Sequence, residues 1–111
     1  MESKNLLNNE LQHLQIYIST LGENAKKESQ NWLFNLRKNG FRTDKDYLSR
    51  SFKAQMRDAN KQRAKIVLIL GDNELDNNEF SVKEMETGNQ TNASFDKIIE
   101  YLKNYFKPEN N

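Results

Sequence analysis

The sequence predicts an α/β domain built on a mixed sheet, in the order β-α-β-α-β-β-β-α. Three observations predict it. The apolar run Ile66-Val67-Leu68-Ile69-Leu70 contains no polar residue and stops at Gly71, the pattern of a central strand covered on both faces. Before it, two helical periodicities each follow a short strand-like segment, which implies parallel strands joined by right-handed crossovers. After it, Glu79 to Glu86 and Gln90 to Ala93 flank the turn Thr87-Gly88-Asn89, a hairpin that adds antiparallel strands.

Residues 1–12 are polar and Asn-rich and read as a tail or linker end, so the domain is expected over 13–107, with 108–111 as a C-terminal tail. Leu14 to Ser19 alternates apolar and polar residues, as a strand with one buried face does. A helix follows from Glu23 to Lys38. It brings Ala25, Ser29, Trp32, Leu33 and Leu36 to one face, and Gly40 can terminate it. Phe41 to Tyr47 reads as a short edge strand. Ser49 or Ser51 caps the next helix, which reaches about Gln62. Its residues Phe52, Met56 and Ala59 point one way, while Arg50, Lys53, Arg57 and Lys61 fall within an arc of about 80° on the other side. Phe80 and Val82 share one face of the strand from Glu79. Ser94 is expected to cap the last helix, which buries Phe95, Ile98, Ile99, Leu102 and Phe106 and stops at Pro108.

A chain of 111 residues suffices for one domain with a modest core. Hydrophobic content is 35% and mean hydropathy is -1.00, but the apolar residues recur periodically, which argues against disorder. The absence of cysteine excludes disulfides and thiolate metal sites, and a lone histidine, His13, cannot build a His-rich metal site. His13 reads as structural or solvent-exposed. No signal peptide or membrane-length apolar run is visible, so a cytoplasmic protein without membrane contact is expected.

The net charge of +1 hides a split. Arg42 to Lys65 holds eight Lys/Arg against three Asp/Glu; Asp72 to Glu100 holds two against eight. Nucleic acid would therefore meet one side of the molecule only. Arg50, Lys53, Arg57 and Lys61 are candidate phosphate contacts, with a solvated helix face as the alternative. Glu74 and Lys83 are candidate base readers, since a carboxylate accepts from base amino groups and an ammonium donates to ring and carbonyl acceptors; an ordinary ion pair is the alternative. Ser49, at a helix start, suits a phosphate or base contact or a simple cap. Tyr47 is the candidate stacking residue. Trp32 reads as core, and Tyr101 and Tyr105 follow the acidic stretch, away from RNA. Asp72, Glu74 and Asp76 lack the glycine and terminal Glu of an EF-hand loop. No phosphate-loop pattern follows Gly71, and no nucleophile–base pair is visible.

Four groups of words carry a family resemblance: Thr20-Leu21-Gly22-Glu23; Asp44-Lys45-Asp46-Tyr47-Leu48; Lys53-Ala54-Gln55-Met56 with Ala59-Asn60-Lys61; and Ala64-Lys65 through Gly71-Asp72-Asn73-Glu74-Leu75, then Val82-Lys83 and Glu86-Thr87-Gly88. In this order and spacing they resemble the C-terminal anticodon-binding domain of bacterial histidyl-tRNA synthetase, a family shared with the proline, threonine and glycine enzymes. The likeness spans residues 14–104. Two positions depart from the family: Asn60 stands where Asp is usual, and Asp58 where an aromatic residue is frequent.

The resemblance implies a three-layer fold with a five-stranded mixed sheet flanked by helices. It implies that Glu74 and Lys83 meet anticodon bases, that the partner is the anticodon loop of tRNA(His), and that the chain is monomeric and performs no chemistry itself. The class II motifs are not found in these 111 residues, so ATP and histidine would bind a separate catalytic domain of the same synthetase, and no cofactor is expected on this chain. A stand-alone protein- or RNA-interaction module derived from this domain is the alternative.

Overall fold

The computed structural model describes residues 14–107; the tails read into 1–12 and 108–111, His13 and the Pro108 stop lie outside the described residues. Five strands form one sheet: Ile16–Thr20 (β1), Thr43–Lys45 (β2), Ile66–Leu70 (β3), Glu79–Glu84 (β4) and Gln90–Ser94 (β5). Their spatial order is β2-β1-β3-β4-β5. β1 is parallel to β2 and β3, whereas β4 is antiparallel to β3 and β5. The helices among the described residues are Glu23–Lys38 (α1), Phe52–Lys61 (α2), Asp72–Asn77 (α3) and Ile98–Tyr105 (α4).

The alternation of side chains along each strand divides the core in two. On one face Ile16, Ile18, Ile66, Leu68, Leu70, Phe80 and Val82 pack beneath Leu33 and Leu36 of α1 and Ile98 and Leu102 of α4. Trp32 joins this layer as expected, edge-on to Phe80 at 5.0 Å. On the other face Tyr17, Val67 and Ile69 meet Ala59 of α2, with Ala64 beside them. The result is three layers with the sheet in the middle. At the end of α1, Gly40 takes φ 93°, which a side chain disfavours, and the Phe41 N–H turns back to the Leu36 carbonyl.

Four details differ from the sequence reading, and one choice it left open is settled. β1 is buried on both faces, because it lies between two strands and its polar residues meet polar residues of α2 rather than water. Of the two serines offered, Ser51 caps α2, its hydroxyl accepting from the Ala54 N–H at 3.2 Å; Ser49 sits two residues earlier with a left-handed backbone, φ 55°. The buried residues of α2 are Gln55 and Ala59, so Phe52 and Met56 flank the buried line rather than define it. The short α3 was not expected, since six polar-rich residues show no apolar period. Ser94 ends β5 instead of capping α4, which begins after a turn at Ile98 with no side-chain cap.

Candidate nucleic-acid interface

α2 is fixed to the sheet by polar groups. Gln55 is fully buried and uses its whole amide: Oε1 accepts from the Ser19 hydroxyl (2.8 Å) and the Thr20 N–H (2.9 Å), and Nε2 donates to the carbonyls of Thr20 (2.9 Å) and Arg50 (2.8 Å). A second tie lies on the β2 side. Arg50 Nε donates to Asp46 at 2.7 Å, and its Nη2 donates to Asp58 at 2.9 Å, while the Tyr17 hydroxyl donates to Asp58 at 3.0 Å. Burial opposes the charge on both carboxylates, but the hydrogen bonds from Arg50 outweigh it and hold Asp46 and Asp58 below the usual carboxylate range. Burial, reinforced by Asp58, pushes the Tyr17 phenol up.

These ties decide which cations face solvent. Arg50, expected in a surface stripe, precedes the helix and is engaged by two carboxylates. Lys53, Arg57 and Lys61 are exposed, and none has a carboxylate within 4.0 Å among the described residues. Relative to the buried Gln55 and Ala59, helical geometry turns these three away from the sheet.

α2 covers only the β1–β3 part of its face. Beyond it, Ser81 and Lys83 of β4 and Gln90 and Asn92 of β5 project to the same side, as their pairing with Ile69 and Val67 of β3 requires. Ser81 and Lys83 are half-buried, and Gln90 and Asn92 are exposed. Glu74 closes this shelf at the end of β3. Its Oε1 accepts from the Gly71 N–H, capping α3, and its Oε2 accepts from the Ser81 hydroxyl, both at 2.9 Å. Each carboxylate oxygen keeps a lone pair for a further donor. Lys83 stands two residues from Ser81 on the same strand face with no ion-pair partner among the described residues, so the expected alternative, a Glu74–Lys83 pair, is not formed.

Ser49 and Tyr47 lie elsewhere, in the loop after β2. The Ser49 hydroxyl accepts from Lys26 Nζ at 2.7 Å. Tyr47 is half exposed, with Lys45 Nζ 4.8 Å from its ring centroid and its hydroxyl near Asp44. Phe52, expected to point inward with Met56 and Ala59, is only partly covered. Its ring is 37% exposed on the flank of α2 opposite Asp58, the flank from which Met56 joins the cluster containing Met85, just after β4. The apolar period concealed it, because the same spacing describes a core residue. The missed Ser81 carried no signal beyond its two-residue offset from Lys83.

A family profile described as the anticodon binding domain matches residues 15–105. The chain belongs to this anticodon-binding domain family. Over 92 residues it is 40% identical to the histidine–tRNA ligase of Staphylococcus aureus, a match covering 83% of this chain and 22% of that protein. The crystal structure of apo S. aureus histidyl-tRNA synthetase superposes with a TM-score of 0.80 at 36% identity, over 92% of this chain and 28% of the other. The RNA binding domain of threonyl-tRNA synthetase from Cryptosporidium parvum Iowa II shares the fold, with a TM-score of 0.78 at 17% identity over 87% of this chain and 24% of the other. The chain thus spans about a fifth of the length of the curated relatives it matches. The five-stranded mixed sheet is the fold of the family, and Gln55, central to one of the words that carried the resemblance, ties its helix to its sheet.

Proposed function

We propose that this anticodon-binding domain recognises the anticodon loop of tRNA(His) as part of a histidine–tRNA ligase. It positions the tRNA for aminoacylation by a catalytic domain that lies outside these 111 residues and would bind ATP and histidine. The domain itself is monomeric, performs no chemistry and works in the cytoplasm. One observation carries the reading: an uncovered polar shelf on the sheet, bounded by Glu74 and Lys83, beside a helix whose outer cations Lys53, Arg57 and Lys61 have no carboxylate partner among the described residues. Splayed bases need donors and acceptors on a fixed floor, and phosphates need mobile cations at its margin.

A fluorescence titration compares tRNA(His) with an anticodon-swapped variant; tighter binding of the first is expected, and equal affinity would remove the recognition claim. Glu74→Gln locates the reading. If Glu74 only repels RNA, the amide strengthens binding. If it accepts from a base, the charge-assisted bond is lost and cognate discrimination falls by about 1–3 kcal/mol, with little change for an unrelated tRNA. The second outcome is expected, and Lys83→Met should act similarly, with an added small loss for every RNA.

A further inference from the structure

We propose a phosphate subsite outside the shelf, in the cavity between the end of β1, the first turn of α1 and the loop after β2, where Lys26 and Ser49 grip one backbone phosphate of the bound RNA. It rests on the proposed RNA-binding role. The cavity measures about 340 Å³ and is lined by the turn from Thr20 to Glu23 together with Lys26, Ser49 and Arg50.

Two lysines beside this cavity have no ion-pair partner among the described residues. Arg50 is neutralised by Asp46 and Asp58, but Lys26 and Lys45 have no carboxylate within 4.0 Å among the described residues. Lys45 is only 3% exposed; its ammonium makes no hydrogen bond among the described residues and rests against the Tyr47 ring. Burial disfavours that charge and neighbouring Lys26 disfavours it further, while Asp46 and Asp44 offset part of the cost. A buried ammonium beside a second cation is costly, and an anion at Lys26 relieves the repulsion between the two lysines.

The donors are in place for one. Lys26 spends one N–H on the Ser49 oxygen and keeps two, and a hydroxyl that accepts from Lys26 directs its own proton elsewhere. The turn leading into α1 passes through Gly22 at φ 107°, and no side chain caps the helix, so the first N–H groups of this 16-residue helix have no side-chain partner. Glu23 lies on the lining and the Asp72 carboxylate lies beside Gly22; the Lys26 ammonium and the helix terminus face these two acids from the same cavity. The place also suits a strand of RNA. The Leu21 N–H bonds the Leu70 carbonyl at 2.9 Å, which joins the cavity wall to the strand end that leads into Gly71 and Glu74. Gly71 lies against both Leu21 and the Glu74 carboxylate, so the shelf and the cavity adjoin at these two strand ends.

Lys26→Gln tests the subsite in the 111-residue chain, with thermal melts to confirm folding and Lys26→Arg as the charge-preserving control. Fluorescence anisotropy with a tRNA(His) anticodon stem-loop and with a scrambled-loop version should show equal losses of about tenfold, and a salt slope reduced by about one, because a phosphate carries no sequence. Lys26→Arg should restore most of the affinity. Unchanged affinity and slope overturn the RNA subsite. A second arm titrates inorganic phosphate and follows backbone amide shifts. Saturable shifts at Gly22 and Glu23 that vanish in Lys26→Gln support an oxyanion site, and if RNA affinity is untouched they reassign it to a free phosphate. Should the unmodified chain bind neither stem-loop, the anticodon reading fails, and the phosphate arm alone decides the subsite, absence of shifts overturning it.

Discussion

The two faces of the sheet are covered by different chemistry. One is sealed by α1 and α4 through aliphatic and aromatic packing, with Phe80, Phe95 and Trp32 in mutual contact. The other is covered in part by α2, which buries only Gln55 and Ala59 and is held by hydrogen bonds and ion pairs. Hydrophobic packing is non-directional and tolerates small shifts, whereas a fully satisfied amide network permits one placement of the helix. The polar face is therefore where a helix can be set at a fixed distance from an uncovered shelf, and the apolar face is where the domain obtains most of its stability.

The largest expected effect tests that division directly. Leu68→Ala should cost about 3 kcal/mol through a cavity in the apolar layer. Gln55→Leu, although it makes the helix more apolar, should cost about as much, because it strands the Thr20 N–H, the Thr20 and Arg50 carbonyls and the Ser19 hydroxyl. Urea unfolding of both variants measures this. A Gln55→Leu variant as stable as the parent would mean that both faces rely on the same packing.

The next effect is a pH dependence confined to the polar face. Asp46 and Asp58 titrate below the ordinary 3.8 when folded. A depressed carboxylate stabilises the fold above its unfolded value, and that stability is lost as pH falls through the folded value. Stability should hold at neutral pH and decline below about pH 4. Asp46→Asn should lower neutral-pH stability by about 2 kcal/mol and flatten the acid limb. Leu68→Ala should leave the shape of the acid limb unchanged.

The same contrast explains what the sequence disclosed. The apolar face was legible: Ile66 to Leu70, Phe80 with Val82, and Ile98 with Leu102 form periodic patterns that burial demands. The polar face was not, because hydrogen-bonded residues have no period. Ser19 and Tyr17 looked like the solvent side of β1, Arg50 looked like one more surface cation, and Glu74 showed no sign that it caps a helix and holds Ser81. Residue types suggested the functional candidates, but pairings across 36 to 41 residues of sequence decided which side chains remain available.

A smaller effect separates attraction from fold. Replacing Lys53, Arg57 and Lys61 together by Gln should alter stability by less than about 0.5 kcal/mol, since none is paired with a carboxylate among the described residues. The triple variant should bind every RNA more weakly, with a shallower salt dependence. An unchanged salt slope would make the outer face of α2 merely solvated.

The smallest effect probes the link between shelf and fold. Ser81→Ala removes one hydrogen bond to a half-exposed carboxylate and should cost about 0.5–1 kcal/mol of stability. Its effect on binding depends on what Glu74 does. If Glu74 reads a base, Ser81 fixes the direction of its second oxygen, and losing it lets the carboxylate swing while the Gly71 N–H still holds the first. Cognate affinity should then fall severalfold and unrelated RNA should be unaffected. In a Glu74→Gln background the further loss from Ser81→Ala should shrink, because neighbours that act on one group are not additive. Full additivity of the two changes would mean that Ser81 acts on RNA independently of Glu74, and the shelf would then be two separate contacts rather than one oriented carboxylate.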